Sequence, residues 1–424
     1  MKRVTGLSDA LELLGGPQPG DAEADGVASR ILADVRENGD TAVKRISSEL
    51  DGEPLGFLEV PRSEIDAALA SLSTDVREAL ETAAERVRAF QEAARPQSWH
   101  DEERHYGELV TPVGRVGAYV PGGTAPLAST VIMTVVPARV AGVEEVFLAT
   151  PAVGDSLPHP AVLAAAAIAG ADRVFKIGGA QAIGAFAYGT ETVPAVDLIV
   201  GPGNVWVTAA KRQLFGHVGI DGLYGPTETL VVANETSDPE FCASDLLAQA
   251  EHDVRARPIL VSTSEDVANG VEEALGRQLA ELPRKAIAGQ AVEVNGVSVI
   301  VDSVEEAIAV ANAVAPEHLC LAISDPAPYI SLVRNAGGLF SGEYSAEVMG
   351  DYVAGPSHVM PTGGTARFAS ALNVRHFLRF TPVVDLDAEG FMAIAKQASI
   401  LARTEDLHGH ANAAELRMKR LIGE

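Results

Sequence analysis

Two similar, doubly wound α/β domains with parallel sheets are the fold class this sequence predicts, and three observations predict it. From about residue 110, short β-branched runs alternate with alanine-rich helical segments. The alternation forms two series, the second starting near residue 229. Glycine- and proline-rich turns stand where strands of the first series end. Such alternation argues for parallel sheets covered by helices. At roughly 100–200 residues per domain, a chain of 424 residues holds two or three.

Residues about 20–48 and 62–94 carry Ala, Leu, Val and Ile at helical spacing among Glu and Arg. They are expected to be helices packed on the second sheet. The first series opens with Val116-Gly117-Ala118-Tyr119-Val120, a strand ending at Pro121-Gly122-Gly123. Val146-Phe147-Leu148-Ala149 is the next strand, followed by a helix near 160–169. Leu198-Ile199-Val200 is another, ending at Gly201-Pro202-Gly203-Asn204. In the second series Leu230-Val231-Val232 leads to a helix near 239–250, and Ile259-Leu260-Val261 to one near 265–279. Val299-Ile300-Val301 leads to one near 304–313. After about 373 the chain reads as mainly helical, a small C-terminal appendage. There is no low-complexity tract and no short-period repeat.

Composition excludes several classes. A hydrophobic fraction of 47% with 21% charged residues supports a packed core and argues against disorder. Lys and Arg number 32 against 58 Asp and Glu, a formal charge of −26. That surface repels phosphate backbones, so no nucleic-acid partner is expected. Cys242 and Cys320 lack metal-type spacing and read as small buried hydrophobes in a reduced, cytoplasmic setting. Met1-Lys2-Arg3-Val4-Thr5-Gly6 is not followed by an apolar signal core. The longest apolar run, Val131 to Val143, is broken by Pro137 and Arg139 and is too short to span a bilayer. A soluble protein without a membrane partner is expected.

Acid, amide and imidazole side chains gather in the last 180 or so residues. Such groups are costly to bury without partners. Gln249 and His252 stand three apart near the end of the predicted helix Ala243 to Glu251, on one face. They suit a metal ion, and equally a polar helix end with a solvated imidazole. Glu317-His318 follows Pro316 at a loop–strand junction before Leu319-Cys320-Leu321. A carboxylate and an imidazole there suit a general base and a proton shuttle. Six glycines and prolines within 350–364 describe a shaped loop holding Asp351 and His358. Asp351 is either an oxygen ligand for a metal or a turn cap. Glu405 and His410 lie in Glu405-Asp406-Leu407-His408-Gly409-His410. Spacing does not decide between a His408–His410 metal pair and His410 acting with distant partners. No G-x-G-x-x-G fingerprint, P-loop or G-x-S-x-G elbow occurs. Gly122-Gly123, Gly178-Gly179 and Gly201-Pro202-Gly203-Asn204 lie at predicted strand ends, where open α/β sheets bind ligands.

With these segments in hand, the chain resembles the histidinol dehydrogenase family, most densely from about 112 to 415. The resemblance is carried by Tyr119-Val120-Pro121-Gly122-Gly123, Ile177-Gly178-Gly179-Ala180-Gln181-Ala182 and Gly201-Pro202-Gly203-Asn204. Further on come Gln249-Ala250-Glu251-His252, Pro316-Glu317-His318-Leu319, Gly350-Asp351-Tyr352, His358-Val359-Met360-Pro361-Thr362, and Glu405 with His410. The resemblance implies two-step oxidation of L-histidinol to L-histidine with two NAD⁺, one zinc ion per subunit and a homodimer. It implies zinc ligands at Gln249, His252, Asp351 and His410, the last supplied by the partner subunit. It implies an acid/base pair at Glu317 and His318. Thr227, Tyr352, His358 and Glu405 would join these residues around the substrate. Tyr119, Gln181 and Asn204 would lie on the cofactor side.

Two positions depart from the family pattern: Thr227 where serine is usual, and Ser357 where asparagine is common. They leave open a paralogue oxidising another small polar alcohol, such as a sulfonated diol. A zinc hydrolase using Glu317 would leave the glycine loops without a role, and a non-catalytic metal-binding protein would have no need of His318. The implied domains are incomplete Rossmann-like units. Residues 1–118 with 229–372 form the first, including the N-terminal helices. Residues 119–228 form the second, on the cofactor side, and 373–424 a helical dimerisation segment.

Overall fold

The computed structural model describes residues 1–14, 22–122 and 125–423. The chain forms two compact units, Met1–Ala94 with Val113–Phe377, and Arg95–Pro112 with Leu378–Glu424.

The first unit opens with β1 (Lys2–Thr5) and the helices α1 (Leu7–Leu14), α2 (Ala22–Asp51), α3 (Arg62–Ser71) and α4 (Thr74–Ala94). The chain then leaves it for β2 (Trp99–Asp101) and β3 (Tyr106–Pro112) of the second unit. On its return β4 (Arg115–Tyr119), α5 (Ala128–Ala141), β5 (Glu145–Ala149), α6 (Pro160–Ala169), β6 (Arg173–Phe175), α7 (Gly179–Tyr188), β7 (Leu198–Val200), α8 (Val205–Leu214) and β8 (Gly219–Ile220) follow. Next come β9 (Glu228–Ala233), α9 (Pro239–Ala250), β10 (Arg257–Ser262), α10 (Glu265–Glu281), α11 (Lys285–Asn295), β11 (Val297–Ile300), α12 (Val304–Val314), β12 (His318–Leu321), β13 (Gly338–Ser341) and α13 (Glu347–Tyr352).

These strands make two parallel sheets, ordered β6-β5-β4-β7-β8 and β1-β11-β10-β9-β12-β13. In each the strand order, not the strand direction, reverses between two neighbours: β4 and β7 in the five-stranded sheet, β9 and β12 in the six-stranded one. Such a reversal opens a crevice at the strand ends. The strands read as unbroken apolar runs because helices cover both faces. In the six-stranded sheet Leu230, Val232, Ile259 and Leu319 point to one core. Their neighbours Val231, Leu260 and Cys320 point to the other. Caps set the helix starts: Asn204, Asp238, Ser264 and Ser303 each accept a backbone N–H from the first turn.

The N-terminal helices depart from the expectation. Only β1 and α1 join the six-stranded sheet, through β11 and α12. Helix α2 packs on α7 and α8, α3 on α6, and α4 on α5, all flanking the five-stranded sheet. The cause is the α2 stripe Ala28, Leu32, Val35, Val43 and Ile46, which joins the core built on Phe147, Phe175 and Phe186.

The second unit pairs β3 antiparallel with β2 and with β14 (Leu378–Val384), then adds α14 (Ala388–Thr404) and α15 (His408–Ile422). The segment after 373 is therefore not helical from its start. Its strand finds a partner more than 260 residues earlier, which local pattern cannot reveal.

Candidate active site

A cavity of about 460 Å³ in the first unit is lined by two sets of strand ends. Pro121 and the turn Pro202-Gly203-Asn204 come from the carboxyl ends of β4 and β7, and Thr227, Glu317 and His318 from the amino ends of β9 and β12. The five-stranded sheet thus follows the usual rule for ligand crevices, while the six-stranded sheet offers its opposite edge. Strands β9 and β12 are neighbours, with His318 opposite Thr229. Ala315, in the left-handed region at φ 51°, ends α12 and turns the chain into Pro316 and this pair. A non-glycine residue there is uncommon and is held by its surroundings.

The polar groups form a connected set. Thr227 Oγ1 lies 2.6 Å from Glu317 Oε2 and 2.9 Å from Gln249 Oε1, with one proton to share. The Glu228 N–H donates to Glu317 Oε2 at 3.1 Å. Gln249 Nε2 donates to Asp351 Oδ2 at 3.0 Å. His318 Nε2 lies 3.0 Å from Asp351 Oδ1, and the ring stacks on Phe340 with centroids 5.6 Å apart. Its Nδ1 lies 3.6 Å from Glu317 Oε2 and makes no hydrogen bond among the described residues.

Burial disfavours the imidazolium of His318, but the carboxylates of Glu347, Glu317 and Asp351 outweigh it and raise its pKa well above the ordinary value. Burial likewise opposes ionisation of Asp351, yet its bond to His318 keeps its pKa below the ordinary carboxylate value. His358 goes the other way, since burial lowers its pKa and favours the neutral ring. Its Nδ1 faces the Asp351 carbonyl at 2.7 Å, so the proton sits there and Nε2 accepts from Thr130 Oγ1 at 3.0 Å.

Of the residues singled out from the sequence, Thr227, Gln249, His252, Glu317, His318, Asp351, Tyr352, His358 and Asn204 all line this cavity. Gln249 is buried in the last turn of α9, whereas His252 lies past the helix end in an exposed turn. Asp351 and Tyr352 belong to the short helix α13 and not to a loop, which begins after them. Asn204 also caps α8, accepting the Val207 N–H at 3.1 Å. Tyr119 and Gln181 are buried and do not line the cavity. The Tyr119 hydroxyl accepts the Gly179 N–H at 3.1 Å, and burial pushes its pKa up to about 12. Gln181 Nε2 donates to Ser47 Oγ at 3.3 Å. Ser357 Oγ is turned to the Met133 carbonyl and the Val359 N–H, at 3.1 and 3.2 Å. Gly123, of the Gly122-Gly123 turn, lies outside the described residues. Glu405, His408 and His410 belong to the second unit, where all three are exposed. Both cysteines are buried and free.

Two participants escape a reading of the sequence. Glu347 is fully buried, accepts from Thr229 Oγ1 and from Cys320 Sγ, and adds to the negative surroundings of His318. Its signal was its place four residues before Asp351, one helical turn away. Thr130 has no such signal, since it sits inside the apolar run that forms α5.

The family model described as Histidinol dehydrogenase matches residues 17–418. The histidinol dehydrogenase of Thermus thermophilus is 53% identical over 399 residues, covering 94% of this chain and 95% of that one. That of Deinococcus radiodurans is 50% identical over 397 residues, covering 93% and 90%. The chain belongs to the histidinol dehydrogenase family. The crystal structure of histidinol dehydrogenase from Elizabethkingia anophelis matches with a TM-score of 0.95 at 34% identity, covering 99% of this chain and 98% of that one. Membership makes the chain an NAD-dependent oxidoreductase, on the mixed α/β fold with parallel sheets that the sequence predicted. The relatives give no support to the sulfonated-diol alternative.

Proposed function

We propose that the cavity oxidises L-histidinol to L-histidine in two successive hydride transfers to NAD⁺, with the aldehyde held between them. The observation that carries the reading is the pairing of Glu317 and His318 at the start of β12, in one cavity with Gln249, Asp351 and His358. A primary alcohol is a very weak acid, so its proton must leave as the hydride does. His318, held 3.0 Å from Asp351 Oδ1 and 3.6 Å from Glu317 Oε2, is placed to take that proton when its ring is neutral, and these carboxylates would stabilise the imidazolium that forms. The alcohol then loses a hydride to the first NAD⁺ and becomes an aldehyde. Water must add to the aldehyde before a second hydride can leave. Glu317 suits that step: Oε2 is fixed by Thr227 and the Glu228 N–H, while Oε1 makes no hydrogen bond among the described residues. The hydrate loses its hydride to the second NAD⁺ and becomes the carboxylate. His358, neutral and anchored through Nδ1, would meet a polar substrate group through Nε2 by exchanging its bond from Thr130 for one from the substrate.

The donors fit a divalent ion. Gln249, His252 and Asp351 line the same cavity and offer an imidazole and a carboxylate, which suit zinc, with an amide oxygen as a weaker donor. Among the described residues no cluster of three His, Cys, Asp or Glu stands ready for a metal. The fourth donor, His410, would come from a second copy of the chain. When bound, the ion would orient the substrate's imidazole and amine. Glu405 would face the substrate from the same segment as His410, and Tyr352, exposed at the rim, would close over it. Asn204, with Tyr119 and Gln181 behind it, would serve the cofactor side.

A homodimer accords with the second unit, where Ile394, Ile400, Leu401 and Leu416 leave apolar surface exposed on α14 and α15. Residues 373–424 would then be its dimerisation segment. No helix among the described residues is long and apolar enough to cross a membrane, and a biosynthetic role in the cytoplasm fits that.

The test separates the two steps. With histidinol and NAD⁺, His318→Asn should lower the first oxidation by about 10²–10⁴-fold. Glu317→Gln should release histidinal and drive the NADH yield from two toward one per histidinol. Equal effects of both variants on both steps would sink this division of roles.

A further inference from the structure

Away from the reacting groups, one buried ion pair stands at the junction of the two cavity walls. Lys211, on α8, and Asp221, just past β8, are both almost fully buried and in direct contact. Charges withdrawn from water this way are retained only with compensating partners. Here the partners are backbone atoms of the site. Lys211 Nζ donates to the Gly201 carbonyl at 3.0 Å, and Asp221 Oδ2 accepts the Gly201 N–H at 2.7 Å. Asp221 Oδ1 also accepts the Gly222 N–H at 2.8 Å. The Lys211 ammonium lies 4.8 Å from the centre of the Tyr224 ring, and Thr208 on the same helix donates to the Tyr224 carbonyl at 2.6 Å. Gly201 ends β7 and leads into Pro202-Gly203-Asn204, while Tyr224 leads through Gly225-Pro226 to Thr227; all but Gly201 line the cavity.

We propose that Lys211 and Asp221 are positioning residues that lock the Gly201–Asn204 turn, on the cofactor side, to the 222–227 segment that carries the Thr227–Glu317 contact. The pair holds both polar atoms of Gly201 at once, so the turn cannot shift without breaking two charge-assisted bonds. Through the Gly222 N–H and the Tyr224 ring it also ties that turn to the segment that leads to Thr227. The spacing of the two cavity walls is therefore held by a clamp that itself lines neither. This inference rests on the reading of the cavity as an NAD-dependent site.

The experiment uses the full-length protein with Lys211→Met combined with Asp221→Asn. The double variant removes both charges and the lysine bond to the Gly201 carbonyl, and keeps an oxygen for the Gly201 N–H. Folding is checked by thermal melting, where Lys211→Met alone should melt below the double variant because it strands the Asp221 charge. The expected result is a KM for NAD⁺ raised and a kcat lowered, each by about tenfold or more, since small misplacements of a positioned reactant cost rate. The affinity for L-histidinol, measured by calorimetry without NAD⁺, should fall much less than that for NAD⁺, because two of the pair's backbone bonds are to Gly201 on the cofactor side and only one is to Gly222. An unchanged KM for NAD⁺ in the folded double variant would overturn the proposal. So would a loss of histidinol affinity in proportion to the loss of NAD⁺ affinity, which marks a merely structural pair. If the unsubstituted protein makes no NADH from histidinol, the activity reading fails separately, and the clamp is judged on the affinity of the two proteins for NADH, read from nucleotide fluorescence.

Discussion

Asp245 opposes folding increasingly as pH rises toward neutrality. It lies on α9, where burial first and the nearby Glu347 carboxylate second push its pKa from 3.8 up to about 7. The folded chain therefore keeps the Asp245 proton until about pH 7, while the unfolded chain releases it near 3.8. Between those values the unfolded state binds fewer protons, so the slope of unfolding free energy with pH is negative. A raised acid thus weakens the fold progressively from about pH 4 to 7, and the loss levels off above that. A shift of about 3 units at 1.36 kcal/mol each amounts to roughly 4 kcal/mol, of which about 3 falls between pH 5 and 8. Asp245→Asn cannot ionise and lacks this slope. Urea unfolding of both proteins at several pH values from about 5 to 8 reads the difference between them, in which groups common to both cancel. The asparagine variant should gain on the parent steadily with pH, by about 3 kcal/mol over the range. A difference that stays flat would refute the reasoning, because it would mean that Asp245 is ionised throughout.

Gly201→Ala should destabilise the protein and weaken NAD⁺ binding together. At φ 109° an added Cβ would lie 2.1 Å from the Tyr119 carbonyl oxygen, so the turn must move; a loss of more than about 2 kcal/mol by denaturant unfolding is expected. Thr227→Val removes the hydroxyl shared by Glu317 and Gln249. It should cost about 1–3 kcal/mol of stability and slow the second oxidation more than the first, read by supplying histidinal and histidinol in turn.

Much of this site was legible because its residues come in short contiguous groups. Glu317-His318, Gln249 with His252, and Asp351-Tyr352 each place two or more cavity-lining side chains at positions that one local element fixes. The strands were legible for a related reason: both faces are covered, so Leu230-Val231-Val232 and Leu198-Ile199-Val200 read as uninterrupted apolar runs. What stayed hidden depends on partners distant in sequence. Strand β1, Lys-Arg-Val-Thr, has no apolar pattern and exists because β11 pairs with it. Strand β14 is defined by β3, and α2 was assigned to the wrong sheet because an amphipathic stripe does not say which core it faces. Ser357 looked like a substrate-side departure, but its hydroxyl is taken up by backbone groups. Glu347 and the Lys211–Asp221 pair were missed for one reason: a buried charge looks like a surface charge until its neighbours are known.

The most direct test is to count NADH formed per L-histidinol consumed by the purified protein, before chelation, after it, and after zinc is returned. Two NADH per histidinol, lost on chelation and restored by zinc, is the predicted result. Metal-loaded protein that forms no NADH from histidinol, or a yield indifferent to chelation, would contradict the assignment of Gln249, His252, Asp351, Glu317 and His318 to a metal-assisted two-step oxidation.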